Sequence, residues 1–243
     1  MQLGVRVAVE CEIMERLQRR KSGNSGMRPT LIIGNKNYSS WSLRAWLLLA
    51  EAGIDFEEIR LSLDTPEFAS EIAKYSRAKR VPVLILDGQP VWDSLAIAET
   101  VAERWPEKGL WPEKDDARAF ARSICAEMHS GFPVLRDTMP MNCRAMGRKI
   151  ELPAALTVEI DRIFEIWLEC SERFAADEGW LFGDFSVADA MFAPVVLRFR
   201  TYGINLPQAA MAYHDRLLKS EALQRWLLAA ESETEVLEVD EAG

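Results

Sequence analysis

The apolar periodicity of this chain changes once, between residues 106 and 114, and the change predicts two domains of different class. Before it, short apolar runs alternate with helical ones, as in βαβ units. After it, the apolar residues recur at helical spacing throughout. We therefore predict an α/β domain over residues 30–106, followed by an all-helical bundle over residues 114–230.

Four strands and two helices are predicted in the first half. The strands fall at 31–34, 56–61, 83–86 and 90–92, and the Asp87-Gly88 turn joins the last two as a hairpin. The first helix follows the first strand and carries one apolar face, formed by Leu43, Trp46, Leu47 and Ala50. The second begins at Asp93-Ser94 and ends before Pro106.

Apolar stripes and a capping pattern define the helices of the second half. The stripes are Ala117, Phe120, Ala121, Ile124, Cys125 and Met128, and then Leu156, Ile160, Ile163, Phe164 and Trp167. Ser186 stands three residues before Asp189, which is the spacing of a capping box at a helix start.

The two ends of the chain differ from its body. Residues 1–28 mix charges and end in a Ser/Gly/Asn run, so we predict a disordered extension outside the fold. Residues 231–243, the acidic tail, hold six acidic residues and no Lys or Arg, and without them the net charge of −9 becomes −3. We predict that the tail is a solvated, frayed terminus rather than a partner site.

Several function classes find no support in the composition. The four cysteines are far apart, the two histidines form no H-E-x-x-H, and no P-loop or G-x-S-x-G occurs, so we predict no metal. No basic cluster indicates nucleic-acid binding, and no apolar run approaches the ~20 residues of a membrane span. The pattern predicts a soluble protein of the reducing cytoplasm, with neither a nucleic acid nor a membrane as partner.

Polar residues gather where the first predicted strand passes into the first helix, in the run Asn37-Tyr-Ser-Ser-Trp-Ser-Leu-Arg44. The N–H groups and the dipole at a helix start stabilise an anion, and three hydroxyls lie beside them. The alternative is that Ser40 or Ser42 is only the N-cap of the helix.

Two further motifs stand at element boundaries: one precedes a predicted strand, and the other opens a predicted helix. Pro82 directly precedes the third strand, where a cis peptide would expose the backbone groups of Val81 to an extended peptide, and a trans proline is the alternative. Asp93 and Ser94 begin the second helix. One of these two residues is enough to cap the helix. The other can hold the carboxylate of a ligand, while Asp93 accepts a hydrogen bond from the ligand's ammonium group.

In their order and spacing these motifs resemble those of the glutathione transferase superfamily, over residues 31 to about 228. Ser39-Ser-Trp-Ser-Leu-Arg44 is similar to the S-S-C-S-x-R motif of zeta-class enzymes, which include maleylacetoacetate isomerase. Trp41 replaces the cysteine of that motif. The fuller pattern also resembles bacterial serine-type transferases.

The resemblance implies a thioredoxin-like domain followed by a helical bundle, a homodimer, and glutathione as co-substrate without a metal. It implies that the catalytic hydroxyl lies five positions before Arg44, which is Ser39, with Ser40 as the alternative. Residues with implied substrate-binding roles are Arg80 (glycyl carboxylate), Val81 (cysteinyl backbone), Asp93 and Ser94 (γ-glutamyl group) and His129 (electrophile).

The implied chemistry is activation of the glutathione thiol, whose pKa near ~8.5 leaves little thiolate at neutral pH. A serine hydroxyl that donates to the sulfur favours the anion, so no histidine base is needed. We predict a detoxifying transferase in which the thiolate attacks a small hydrophobic electrophile. The alternatives are a glutathione-dependent isomerase of the maleylacetoacetate type and a non-catalytic binding module with the same fold.

Overall fold

The computed structural model describes residues 27–174 and 179–243. The predicted disordered extension over residues 1–28 lies outside these ranges except for its last two residues, and the domain boundaries stay predictions. In the described ranges the α/β and all-helical halves follow each other in the predicted order.

The first half is a four-stranded sheet with helices, as predicted. Its elements are β1 (Thr30–Ile33), α1 (Ser40–Glu51), β2 (Glu57–Arg60), α2 (Phe68–Ile72), β3 (Val83–Leu86), β4 (Gln89–Trp92) and α3 (Ser94–Arg104). The strand order is β2-β1-β3-β4, in which only β1 and β2 are parallel. The five-residue α2 was not predicted, because so short a helix shows no periodicity.

The register of the sheet brings the three polar motifs to one edge. Ile32 pairs with Val83 across the antiparallel β1 and β3, and Val83 also pairs with Trp92 of β4. The carboxyl ends of β1 and β4 therefore meet the amino end of β3. The segments that follow β1, precede β3 and follow β4 lie side by side at this edge.

Six α-helices form the second half in its described ranges, 114–174 and 179–243: α4 (Asp115–Ser130), α5 (Pro133–Thr138), α6 (Ala154–Arg173), α7 (Val187–Tyr202), α8 (Gln208–Leu218) and α9 (Glu221–Glu231). All residues of α7 except Arg200 are buried, and the predicted capping box of Ser186 and Asp189 opens this helix. Because α7 packs against both α1 and α4, one apolar core joins the two halves.

The acidic tail is docked against the rest of the chain, so the prediction of a frayed terminus is wrong. Glu235 accepts from Arg60 Nη1 at 2.8 Å and from Ser62 Oγ at 3.1 Å, and Glu241 pairs with Arg148. The hydrogen bond from Arg60 lowers the pKa of Glu235 to about 2. The tail's basic partners lie far away in sequence, so local composition does not show them.

Among the residues described, no helix combines the length and the apolar character that crossing a bilayer requires.

Candidate functional site

Ser39 is the N-cap of α1, whereas the alternative in the sequence analysis placed the cap at Ser40 or Ser42. Its Oγ accepts from the Ser42 N–H at 3.4 Å and donates to Ser42 Oγ at 2.7 Å. Ser42 Oγ in turn accepts from the Gly34 N–H at 3.0 Å, which ties the helix start to the end of β1. The first turn of α1 holds no acidic side chain, so its positive end remains available to an anion.

The backbone N–H and C=O groups of Val81 are available to a ligand beside this helix start. The Val81–Pro82 peptide bond is cis, so of the predicted alternatives, cis and trans, the first is the one found. The N–H and C=O of Val81 make no hydrogen bond within the described residues. An extended peptide can pair with these two groups.

Asp93 and Ser94 divide their roles at the start of α3. Asp93 Oδ1 caps the helix, accepting from the N–H of Leu95 at 2.8 Å and of Ala96 at 3.4 Å. Its φ of 56° is a strained value for a residue other than glycine, as is often found at ligand sites. Ser94 is buried and its Oγ has no hydrogen-bond partner among the residues that the structure describes, so this hydroxyl is available to bind a carboxylate.

His129, at the end of α4, reaches into the same edge. Its Nε2 lies 2.9 Å from Asp93 Oδ2, and its ring packs edge-on against Trp41 with centroids 5.3 Å apart. His129 therefore links Asp93 to the first turn of α1, which Ser39 caps. Its contact with substrate stays a prediction. Arg80 is exposed and has no hydrogen bond or ion pair within the described residues, and its role likewise stays a prediction.

Two arginines, Arg44 and Arg136, pack on Trp41, and Arg198 lies close enough to act on both charges; this cluster was not predicted. The guanidinium carbons of Arg44 and Arg136 lie 4.3 and 4.7 Å from the centre of the Trp41 ring. Arg44 is only 2% exposed. Its Nε donates to the Met191 carbonyl at 3.0 Å, and neither Nη atom has a hydrogen-bond partner in the described ranges. Burial, and then Arg136 and Arg198, lower the pKa of Arg44.

These three arginines form no ion pair with a carboxylate in the part of the chain that the structure describes. Asp93, Glu159 and Asp240 favour the charged forms of Arg44, Arg136 and Arg198 from beyond ion-pair distance. Like charges held together out of water are costly without a directly paired counter-ion, so the cluster suits a bound anion. Arg136 and Arg198 come from α5 and α7, and no sequence spacing relates them to Arg44. The one available sign was Arg44 itself, a charge inside an otherwise apolar helix.

The cysteines of the described residues are not nucleophiles. Cys125, Cys143 and Cys170 are buried and unpaired, and burial raises the pKa of Cys143 and of Cys170 to about 12. Thiols with such values stay protonated at neutral pH. Within the same residues no group of three His, Cys, Asp or Glu side chains is placed to hold a metal ion.

Comparisons with known proteins agree with this geometry. Residues 38–104 match the family model of the glutathione S-transferase N-terminal domain. The chain is 26% identical over 205 residues to maleylacetoacetate isomerase of Rattus norvegicus, covering 81% of this chain and 91% of that one. It is 27% identical over 186 residues to a probable maleylacetoacetate isomerase of Caenorhabditis elegans, covering 75% and 84%.

Solved structures of this kind share the fold. A glutathione transferase homologue from Burkholderia GL BGR1 with bound glutathione superposes with a TM-score of 0.63 at 26% identity, covering 85% of this chain and 100% of that one. A bacterial zeta-class maleyl pyruvate isomerase superposes with a TM-score of 0.65 at 21% identity, again covering 85% and 100%.

Proposed function

Because this chain belongs to the glutathione S-transferase superfamily, we propose that it is a glutathione-dependent isomerase of a cis-unsaturated acid of the maleylacetoacetate type. One observation carries the proposal: an arginine cluster that forms no ion pair within the described residues lies beside a helix start that suits a thiolate. The sequence motifs alone favoured conjugation, but the named relatives and this cluster favour isomerisation.

The groups left free at the sheet edge fit glutathione. The peptide edge of Val81 pairs with the cysteinyl residue, and the buried Ser94 hydroxyl donates to the γ-glutamyl carboxylate. Asp93 Oδ2 is not free, since it lies 2.9 Å from His129 Nε2, and it accepts from the ammonium as a second donor. A buried hydroxyl without a hydrogen-bond partner costs free energy, and a hydrogen bond to the ligand removes this cost.

Ser39 is the proposed activating residue, with Ser40 as the alternative. Glutathione supplies a thiolate that adds to the cis double bond and leaves again after rotation about the resulting single bond. The Ser39 hydroxyl turns from Ser42 to donate to the sulfur, and the α1 dipole adds to its effect. A hydrogen bond to a charged group contributes ~1.5–3 kcal/mol and the dipole ~0.3–1, enough to lower a thiol pKa by about two units.

The arginine cluster accounts for the acidic substrate. Arg136 is half-buried and packs on Trp41, which also contacts His129, so its guanidinium borders the glutathione groove. Arg136 Nε and Nη2 already donate to the Gly131 and Met128 carbonyls at the end of α4, so Nη1 is the group that binds the substrate carboxylate. That carboxylate supplies a directly paired counter-ion for the cluster.

The direct test is turnover of maleylacetoacetate with glutathione far below the substrate concentration. We expect the cis acid to be converted completely to its trans isomer while glutathione is recovered unchanged. Recovery of a stable thioether, with glutathione consumed one for one, would instead establish conjugation of an electrophile. No turnover with either kind of substrate would leave a binding module.

Arg136→Gln is expected to reduce selectivity for acidic substrates. We expect the ratio of kcat/KM for the cis acid to kcat/KM for a neutral aryl halide to fall by about tenfold, because a charge-assisted hydrogen bond is lost for the acid alone. Steady-state kinetics on the two substrates measure this ratio, which is insensitive to general losses of folded protein.

The control for this variant is Arg162→Gln, since Arg162 pairs with Glu127 and Glu165 on the surface of α4 and α6. An equal fall for both substrates in Arg136→Gln would remove the carboxylate role. A homodimer and a cytoplasmic location stay predictions from the family resemblance.

A further inference from the structure

One carboxylate from the far end of the chain holds the backbone just before Ser39. Glu233 Oε1 accepts from the Lys36 N–H at 2.8 Å, and its Oε2 accepts from the Asn37 N–H at 2.9 Å. The Glu233 side chain is only 7% exposed, so water does not readily replace these bonds. The contact fixes two consecutive peptide groups, the second of them two residues before the candidate catalytic hydroxyl.

The other polar groups of Asn37 are occupied by the segment between α5 and α6. Its carbonyl accepts from the Cys143 N–H at 3.1 Å, and its Nδ2 donates to Asn142 Oδ1 at 3.0 Å. Its Oδ1 accepts from the Arg144 N–H at 2.8 Å. Together with Glu233, every hydrogen-bonding group of Asn37 is held by the helical half of the chain and the tail.

Tyr38 extends the same network to the residue next to Ser39. Its hydroxyl donates to Glu241 at 2.6 Å and accepts from Arg144 at 2.9 Å. Arg144 also donates to the Glu233 carbonyl. The acidic tail thus binds both residues that precede Ser39. Within the α/β domain only the Tyr38 N–H has a described partner, the Asn35 carbonyl at 3.3 Å, whereas the Asn37 N–H and the Tyr38 hydroxyl bind the tail.

We propose that Glu233 is a positioning residue that sets the place of the Ser39 hydroxyl by clamping the backbone of residues 36–37. The proposal rests on the proposed function, in which that hydroxyl meets the glutathione sulfur. Displacement of a reacting group by about 1 Å can cost up to about 100-fold in rate. The tail is therefore part of the catalytic apparatus although it contacts no reacting atom.

The test is Glu233→Gln in the full chain. Glutamine offers one acceptor oxygen and an NH2 that cannot accept, so either Lys36 or Asn37 loses its partner. We expect kcat to fall about tenfold, KM for glutathione to change by less than about twofold, and the thiolate absorbance of bound glutathione to decrease. Amide hydrogen exchange at Lys36 and Asn37 should accelerate while exchange in the α7 core is unchanged.

Glu238→Gln is the matched control, because it makes the same change at an exposed tail residue with no side-chain partner among the described residues. It is expected to behave as wild type in every measurement. Glu233→Asp keeps the charge on a shorter side chain and is expected to recover part of kcat.

Wild-type kcat and wild-type exchange in Glu233→Gln would overturn the clamp, and so would faster exchange spread evenly over the whole chain. Failure of the proposed function looks different, because the wild type itself would show no glutathione-dependent turnover. In that event the exchange rates at Lys36 and Asn37 still decide whether Glu233 holds the loop.

Discussion

Ser39→Ala is expected to bind glutathione and yet lose most of the thiolate, with kcat/KM reduced about 10- to 100-fold. The range follows from removing one hydrogen bond to a charged sulfur, worth ~1.5–3 kcal/mol. The ultraviolet absorbance of the thiolate during a glutathione titration reports ionisation separately from binding. Activity with the cis acid then reports its effect on turnover.

Two features of the site make this variant interpretable. Ser39 is also the N-cap of α1, so its removal costs about 1 kcal/mol of stability, which is too little to unfold a well-packed chain. Ser40→Ala is the matched control, one residue on and equally buried. Full thiolate in Ser39→Ala together with its loss in Ser40→Ala would transfer the role to Ser40.

Asp189→Ala is expected to lower the free energy of unfolding by about 3 kcal/mol. The carboxylate is fully buried and accepts from the Leu181 N–H at 3.1 Å, from the Ser186 N–H at 2.8 Å and from Ser186 Oγ at 2.9 Å. Alanine leaves two buried N–H groups without an acceptor, each costing ~1–3 kcal/mol. Urea unfolding followed by tryptophan fluorescence measures the loss.

The control is Asp161→Ala, an exposed position within α6, which is expected to change the unfolding free energy by less than about 0.5 kcal/mol. If Asp189→Ala is as stable as this control, the capping box does not hold α7 in place. Such a result would also show that the stability of the apolar core between the two halves does not depend on the cap at the start of α7.

Burial also gives Asp189 a pH dependence. Burial raises the pKa of this carboxyl from 3.8 to about 7. The hydrogen bonds to the carboxylate favour its ionised form and act in the opposite direction, but burial has the larger effect. The folded chain then binds the proton more tightly than the unfolded chain. The stability that Asp189 contributes is therefore greatest below about pH 4 and falls as the pH rises to about 7. Asp189→Asn should lack this fall.

The motifs could be read from the sequence because each belongs to a local element. Ser39 lies at the start of a helix, Pro82 before a strand, and Asp93-Ser94 at the start of the next helix, and local propensity places all three. Their convergence could be expected only through the family resemblance. In the structure it follows from the register that sets Val83 beside both Ile32 and Trp92.

The arginine cluster and the contacts of the acidic tail could not be predicted from local sequence. Arg44, Arg136 and Arg198 come from three separate helices, and their proximity arises only when α5 and α7 pack on α1. The acidic tail looked solvated because its charges have no nearby partners in sequence. Its partners Arg60, Arg144 and Arg148 are 89 to 175 residues away along the chain.

The sequence by itself determined the order of the elements, the helix caps and the polar motifs at the ends of the strands, because these depend on neighbours within a few residues. The tertiary structure alone decided which charges are left without a counter-ion and which carboxylate clamps the backbone before Ser39. Those outcomes depend on distances between residues far apart in the chain, and only packing of the two halves on one apolar core sets such distances.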